Sequence, residues 1–178
     1  MAPSSQAGRL LIARPDFVDH DFDMTVTILL EHNEEGALGL VLNRPSTVEV
    51  SETFESWSDL VGDNRWIFAG GPVSTESIIA LARGSGGDLV HDMTSIDLEA
   101  QPALAAGGID EVRIFAGYAG WAAGQLEGEI LSGGWWLVDG TIDDVFCPDP
   151  SRLWPSILKR QPGELAWYAH YPTDASRN

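Results

Sequence analysis

The chain has 178 residues, 27 of them Asp or Glu against 10 Lys or Arg, for a formal net charge of −17 at pH 7. That length suits one domain that removes roughly 70% of its unfolded surface from water, and that charge repels nucleic-acid backbones and anionic membranes. The single Cys147 cannot form an intrachain disulfide, so the expectation is one soluble, acidic domain of α/β type in a reducing interior.

Ahead of Arg9 stands only MAPSSQAG. The apolar run Leu10 to Ala13 is far shorter than a signal-peptide core or the ~20 residues of a membrane span. The expected location is therefore the cytoplasm, with residues 1–7 and 173–178 frayed. Arg9 to Ala13 reads as a strand that Pro15 ends. The following Asp16, Asp19, His20, Asp21 and Asp23 invite a metal reading, but the regular oxygen spacing, glycine and distal glutamate of a calcium loop are absent. A solvated turn or short helix is expected, with no metal and no other cofactor.

The stretch Asp23 to Pro45, DMTVTILLEHNEEGALGLVLNRP, is the clearest hairpin signal. Two runs rich in Val, Ile, Leu and Thr flank His32 to Gly36, where Asn33 suits the first turn position and Gly36 supplies a positive φ. Pairing His32 with Ala37 puts Met24, Val26, Ile28, Leu30 and His32 on one face with Ala37, Gly39, Val41 and Asn43, and Leu29 on the other with Leu38, Leu40 and Leu42. Both faces are apolar, so the hairpin belongs inside a sheet.

Ser51 then caps an expected helix carrying Phe54, Trp57 and Leu60 or Val61. Trp66 to Ala69 reads as a strand entering a Gly70-Gly71-Pro72 turn, and Ser77 to Ala82 as another. A short helix is expected within Leu98 to Ala106. Val112 to Tyr118 is a strand that gives way to a helix, where Gly120, Gly124 and Gly128 suggest close packing on the sheet. Trp135 to Val138 and Thr141 to Phe146 read as strands. Leu153, Trp154, Ile157 and Leu158 form the apolar side of a helix, and Leu165 to Tyr171 an edge strand.

Three segments, EHNEEGALGLVLNRP, FAGGPV at Phe68 to Val73, and FAGYAGWAAGQLEGEI at Phe115 to Ile130, resemble the YqgE/AlgH family of bacterial proteins. The resemblance runs from about Gly8 to near Tyr171. Ala122-Ala123 departs from the small residue and proline expected there in many relatives. What the resemblance implies is an α+β fold in one domain over residues 1–178, with a bifurcated mixed β-sheet curled into a pseudo-barrel and helices packed on it. It also implies a family without an established biochemical activity, often labelled as transcriptional regulators.

Candidate chemistry is sparse. No GxSxG, HExxH, CxxC or Walker sequence occurs. Glu31, His32 and Asn33 cluster at the hairpin tip, where a histidine beside carboxylates suits acid–base work, yet consecutive strand residues point to opposite faces. Asn43 and Arg44 at the strand end, Trp121, and Gln125 with Glu129 one helical turn on complete the candidate binding set. The preferred reading is a non-enzymatic protein that binds a small molecule or a protein partner, with an indirect regulatory role. The alternatives are a hydrolase- or transferase-type enzyme and a regulator acting directly on DNA. Ten dispersed cations and no helix-turn-helix pattern make the DNA reading the least favoured.

Overall fold

The computed structural model describes residues 5–16, 19–84, 86–102 and 108–172. In chain order these hold β1 (Arg9–Ala13), β2 (Val26–Asn33), β3 (Gly36–Val41), β4 (Pro45–Glu49), α1 (Val50–Thr53), β5 (Trp66–Ala69), β6 (Val73–Gly84), β7 (Thr94–Ser95), β8 (Ile109–Ala122), α2 (Gln125–Leu131), β9 (Trp135–Asp139), α3 (Ile142–Val145), α4 (Leu153–Lys159) and α5 (Leu165–Tyr168). The expected helix within Leu98 to Ala106 falls in part on residues 103–107, outside the described residues, as do Phe17 and Val18 of the aspartate-rich turn.

The fold is α+β, a mixed sheet that forks. One path runs β4-β5-β8-β3-β2-β1-β9, and a branch leaves β8 through β6 to β7. The fork follows from the length of β8. Its first part pairs antiparallel with β6 from Ile109 to Ala116 and parallel with β5 at Phe115 and Ala116. Its last residues, Ala119 to Ala122, pair with Gly39 to Gly36 of β3. The sheet curls without closing, the open form of the pseudo-barrel that the resemblance implied.

Two apolar faces make this sheet a core. On one side Leu10, Ile12, Val26, Ile28 and Leu40 pack against Leu153, Trp154, Ile157 and Leu158 of α4. On the other, Leu11, Leu29, Val41, Trp121 and Trp135 meet Phe22 and Leu126 of α2. A third cluster buries Trp57 and Val50 against Ile67, Ala80, Val112 and Ile114. Trp154 also donates its indole N–H to the Ala13 carbonyl at 2.9 Å.

The hairpin forms with His32 opposite Ala37, and Asn33 Oδ1 accepts from the Glu35 N–H at 2.8 Å across the turn. Gly36, at φ 142°, sits so close to β8 that a Cβ there would lie 2.1 Å from the Trp121 carbonyl oxygen. The expected division of faces is corrected by a bulge between Leu29 and Glu31. Upstream of it, Ile28 opposes Leu40 rather than Val41, so Val26 and Ile28 join the α4 side and Leu29 the α2 side. A bulge inserts one residue and reverses the alternation beyond it.

Other expectations are also corrected. Glu49, not Ser51, precedes the helix after β4; its N–H donates to Glu52 Oε1 at 3.2 Å, and the helix breaks at Phe54 into a 3₁₀ turn over Glu55–Leu60. Thr141 to Phe146 holds α3 (Ile142–Val145) instead of a strand, because Asp144 accepts from the Thr141 N–H at 2.8 Å and closes its first turn. Leu165 onward is α5 instead of an edge strand. Gly120 lies in β8, Gly124 precedes α2, and a Cβ at Gly124 or Gly128 would meet nothing within 4 Å. Close helix packing is therefore not the reason for those glycines.

Candidate functional site

The pairing of Gly36 and Ala37 with Ala122 and Trp121 lays the hairpin tip beside the start of α2. This brings Glu31, His32, Asn33, Trp121, Gln125 and Glu129 to one end of the sheet. Glu31 and His32 nevertheless diverge: Glu31 is exposed, while the His32 side chain is only 3% exposed.

His32 is engaged on both ring nitrogens. The Gln6 N–H donates to Nδ1 at 3.1 Å, which makes Nδ1 an acceptor and places the ring proton on Nε2. Nε2 then donates to Glu127 Oε1 at 2.7 Å. Glu127 was not among the sequence candidates; it stands 95 residues away, and only its place in the first turn of α2 hinted at a role. A backbone N–H at that turn and the His32 imidazole hold its carboxyl below the ordinary 4.5. A depressed carboxyl contributes stability above its unfolded value and loses it as pH falls through the folded one. Glu127→Gln is expected to flatten that acid-side loss, as read by urea unfolding at successive pH values. A slope equal to wild type would remove the pair from the stability account.

Glu129 joins two tryptophans. Its Oε2 accepts from Trp121 Nε1 and Trp135 Nε1, both at 2.9 Å, and its Oε1 from Gln125 Nε2 at 2.9 Å. Gln125 Oε1 accepts in turn from the Ala122 N–H at 3.0 Å. Beneath this, Phe22 contacts Trp121 and Trp135 at centroid distances of 6.1 and 5.3 Å. What remains open here is a shallow depression of about 190 Å³ lined by Glu31, Asn33, Glu35, Gly36 and Trp121, among others.

Asn43 and Arg44 lie at the other end of the hairpin and do not join this group. Asn43 Oδ1 accepts from the Val26 N–H and its Nδ2 donates to the Met24 carbonyl, both at 2.9 Å, in the manner of a further strand residue. Arg44 donates to the Asp21 and Asp23 carbonyls. Both fasten the turn that leads into β2. Asn43→Ala strands a backbone donor and acceptor and is expected to cost about 1–3 kcal/mol, measured by denaturant titration; an unchanged midpoint would show that water replaces the amide.

Arg113, also missed by sequence, is the most deeply buried cation among the described residues. At 2% exposure it donates through Nη1 to the Val145 and Cys147 carbonyls at 2.9 and 3.1 Å. Its guanidinium lies 4.7 Å from the Phe68 ring centroid and 5.7 Å from that of Phe146. Burial lowers it to about 10, with Glu111 opposing that shift. Beside it a cavity of about 380 Å³ is lined by Gly62, Asp63, Arg83, Glu111, Asp143, Phe146 and Pro148, but Arg113 Nε and Nη2 are shut off from solvent. Cys147 donates weakly to the Asp149 carbonyl at 3.4 Å, and burial pushes its thiol up, away from the reactive thiolate. Among the described residues no three His, Cys, Asp or Glu side chains gather as metal ligands, and no helix is long and apolar enough to cross a membrane.

An open groove of about 520 Å³ lies at α5, lined by Glu164, Trp167, Tyr168, His170, Tyr171 and Pro172. Trp167 is 74% exposed and Tyr171 48%, whereas Tyr168 rests on Trp136 of β9 at 4.7 Å.

A forked, open α+β sheet with helices on both faces, its polar side chains turned to internal bonds, defines the structural class. Within that class the chain belongs to the family described as AlgH-like (DUF179), whose model matches residues 10–166. It is 47% identical over 186 residues to a UPF0301 protein of Streptomyces avermitilis, covering 98% of this chain and 96% of that one. It is 37% identical over 191 residues to a UPF0301 protein of Mycobacterium tuberculosis, covering 100% and 95%. Its fold is similar to the crystal structure of protein DIP2367 from Corynebacterium diphtheriae, with a TM-score of 0.85 at 27% identity over 93% of this chain and 92% of that one. It is also similar to the solution structure of AlgH from Pseudomonas aeruginosa, with a TM-score of 0.70 at 32% identity over 98% of each. None of these names assigns an activity.

Proposed function

We infer that this protein acts by binding and not by chemistry: a non-enzymatic, cytoplasmic protein whose regulatory effect runs through a protein partner or small ligand. One observation carries this reading. The polar residues that could serve catalysis at the hairpin and α2 spend their hydrogen bonds inside the fold, Glu129 on Trp121, Trp135 and Gln125, and His32 on Gln6 and Glu127. General acid–base work needs a group within reach of a substrate proton. The His32–Glu127 pair is what an enzyme would use, but an imidazole 3% exposed and bonded at both nitrogens offers no such reach.

Direct DNA contact is opposed by the −17 charge, since affinity for the backbone comes from clustered cations. Site-specific photocrosslinking in the native host tests the reading. Recovery of the same non-covalent partners across growth conditions is expected. Absence of any partner, or turnover of a substrate that stops in His32→Gln, would overturn it.

A further inference from the structure

We propose that the groove at α5 is a docking site for a cationic, apolar segment of a partner protein, whose Arg or Lys side chain lies against the faces of Trp167 and Tyr171 beside Glu164. This rests on the binding function inferred above and names the surface and the chemistry of its occupant.

Three features of the groove converge. It is the widest open cavity described above, and its lining is aromatic: Trp167, Tyr168 and Tyr171, with Pro172 and His170. Exposed tryptophan and tyrosine faces attract a cation through the ring quadrupole and are the residue types that dominate binding hot spots. Leaving Trp167 74% exposed costs a hydrophobic penalty that internal packing relieves for Trp57 and Trp154, at 0% and 1%.

Charge selects the occupant. Among the described residues Glu164 is the carboxylate of the lining, and neither Lys nor Arg belongs to it. The chain as a whole carries −17, a field that draws a basic segment in and repels an acidic one or a second copy of the chain. The floor is fixed, because Tyr168 leans on Trp136 of β9 and Leu165 and Ala169 pack on the α4 side of the core. The groove thus stands on residues already packed against the core, which lowers the ordering cost of docking.

The probe is a synthetic peptide alternating arginine with leucine, set against its glutamate–leucine counterpart, titrated by tryptophan fluorescence and by amide and indole NMR shifts on the whole chain. The arginine peptide is expected to bind at low salt, to shift the Trp167 indole resonance, and to weaken as salt rises. Trp167→Ala is expected to weaken it roughly tenfold. Because Trp167 is exposed the variant should fold, and Glu164→Lys, also at the surface, provides a second test by reversing the preference between the two peptides. Equal binding of both peptides, shifts centred on the hairpin tip, or binding unaffected by both variants would overturn the proposal. So would binding that appears only in a chain ending at Pro172, which would assign the groove to the chain's own tail. If photocrosslinking captures the same partners from wild type and Trp167→Ala, the surface falls while the binding function stands; if it captures none from either, the function falls with it.

Discussion

Arg113→Ala is expected to lower the unfolding free energy by about 3–5 kcal/mol, the range for removing one member of a buried charged network. The guanidinium is the donor for two carbonyls, those of Val145 and Cys147, and fills the space between Phe68 and Phe146. Alanine would take the Arg113 donor from the Val145 carbonyl, leave the Cys147 carbonyl to the Asn64 side-chain amide at 3.0 Å, and open a cavity between two rings. A pH signature separates this account from a simple packing loss. Burial raises the Glu111 carboxyl, against the opposing pull of Arg113 and Arg83. A raised carboxyl contributes stability that is present at low pH and lost as pH rises through its folded value. Removing the Arg113 cation raises Glu111 further, so the variant should lose more stability than wild type across that rise, and Glu111→Gln should remove the difference. Urea titrations over the acid range measure it. Parallel pH curves for wild type and Arg113→Ala would show that Glu111 does not sense the cation.

Glu129→Leu is expected to cost about 3–4 kcal/mol, since each hydrogen bond to a charged group contributes about 1.5–3 kcal/mol. The carboxylate is the acceptor that holds the Trp121 and Trp135 indoles in register beneath α2. Glu129→Gln keeps one oxygen acceptor and should lose about half as much. Near-ultraviolet circular dichroism would report the tryptophan packing alongside the denaturation midpoint. Retention of full stability in Glu129→Leu, with loss of some partner or ligand, would move Glu129 from the scaffold to the binding surface.

Those two residues mark where sequence reasoning succeeded and failed. Gln125 and Glu129 were legible because four-residue spacing on a helix places side chains together, and they do bond. Their work on Trp121 and Trp135 was not legible, as it depends on β8 and β9 meeting at α2. Arg113 sits inside the apolar run Val112 to Phe115, and an arginine within a buried strand pattern was the available signal. His32 and Glu127 meet only after the tertiary fold forms.

The hairpin, β5, β9 and α4 were readable from apolar runs bounded by glycine or proline. The bulge at Leu30 was not, because alternation carries no information when both strand faces are apolar. β4 was missed because Pro45, Ser46 and Thr47 form a polar edge with no hydrophobic signature. α3 and α5 are only four residues long, below the length at which a helical period can be distinguished from a strand.

Native mass spectrometry of the chain purified gently from its own host tests the central claim most directly, because covalent and non-covalent partners separate in one spectrum. The account predicts a species heavier than the 19.3 kDa chain that dissociates to the unmodified chain on collisional activation, releasing a protein or small molecule. A covalent substrate-derived adduct on the chain, or a bare chain in every preparation, would contradict it.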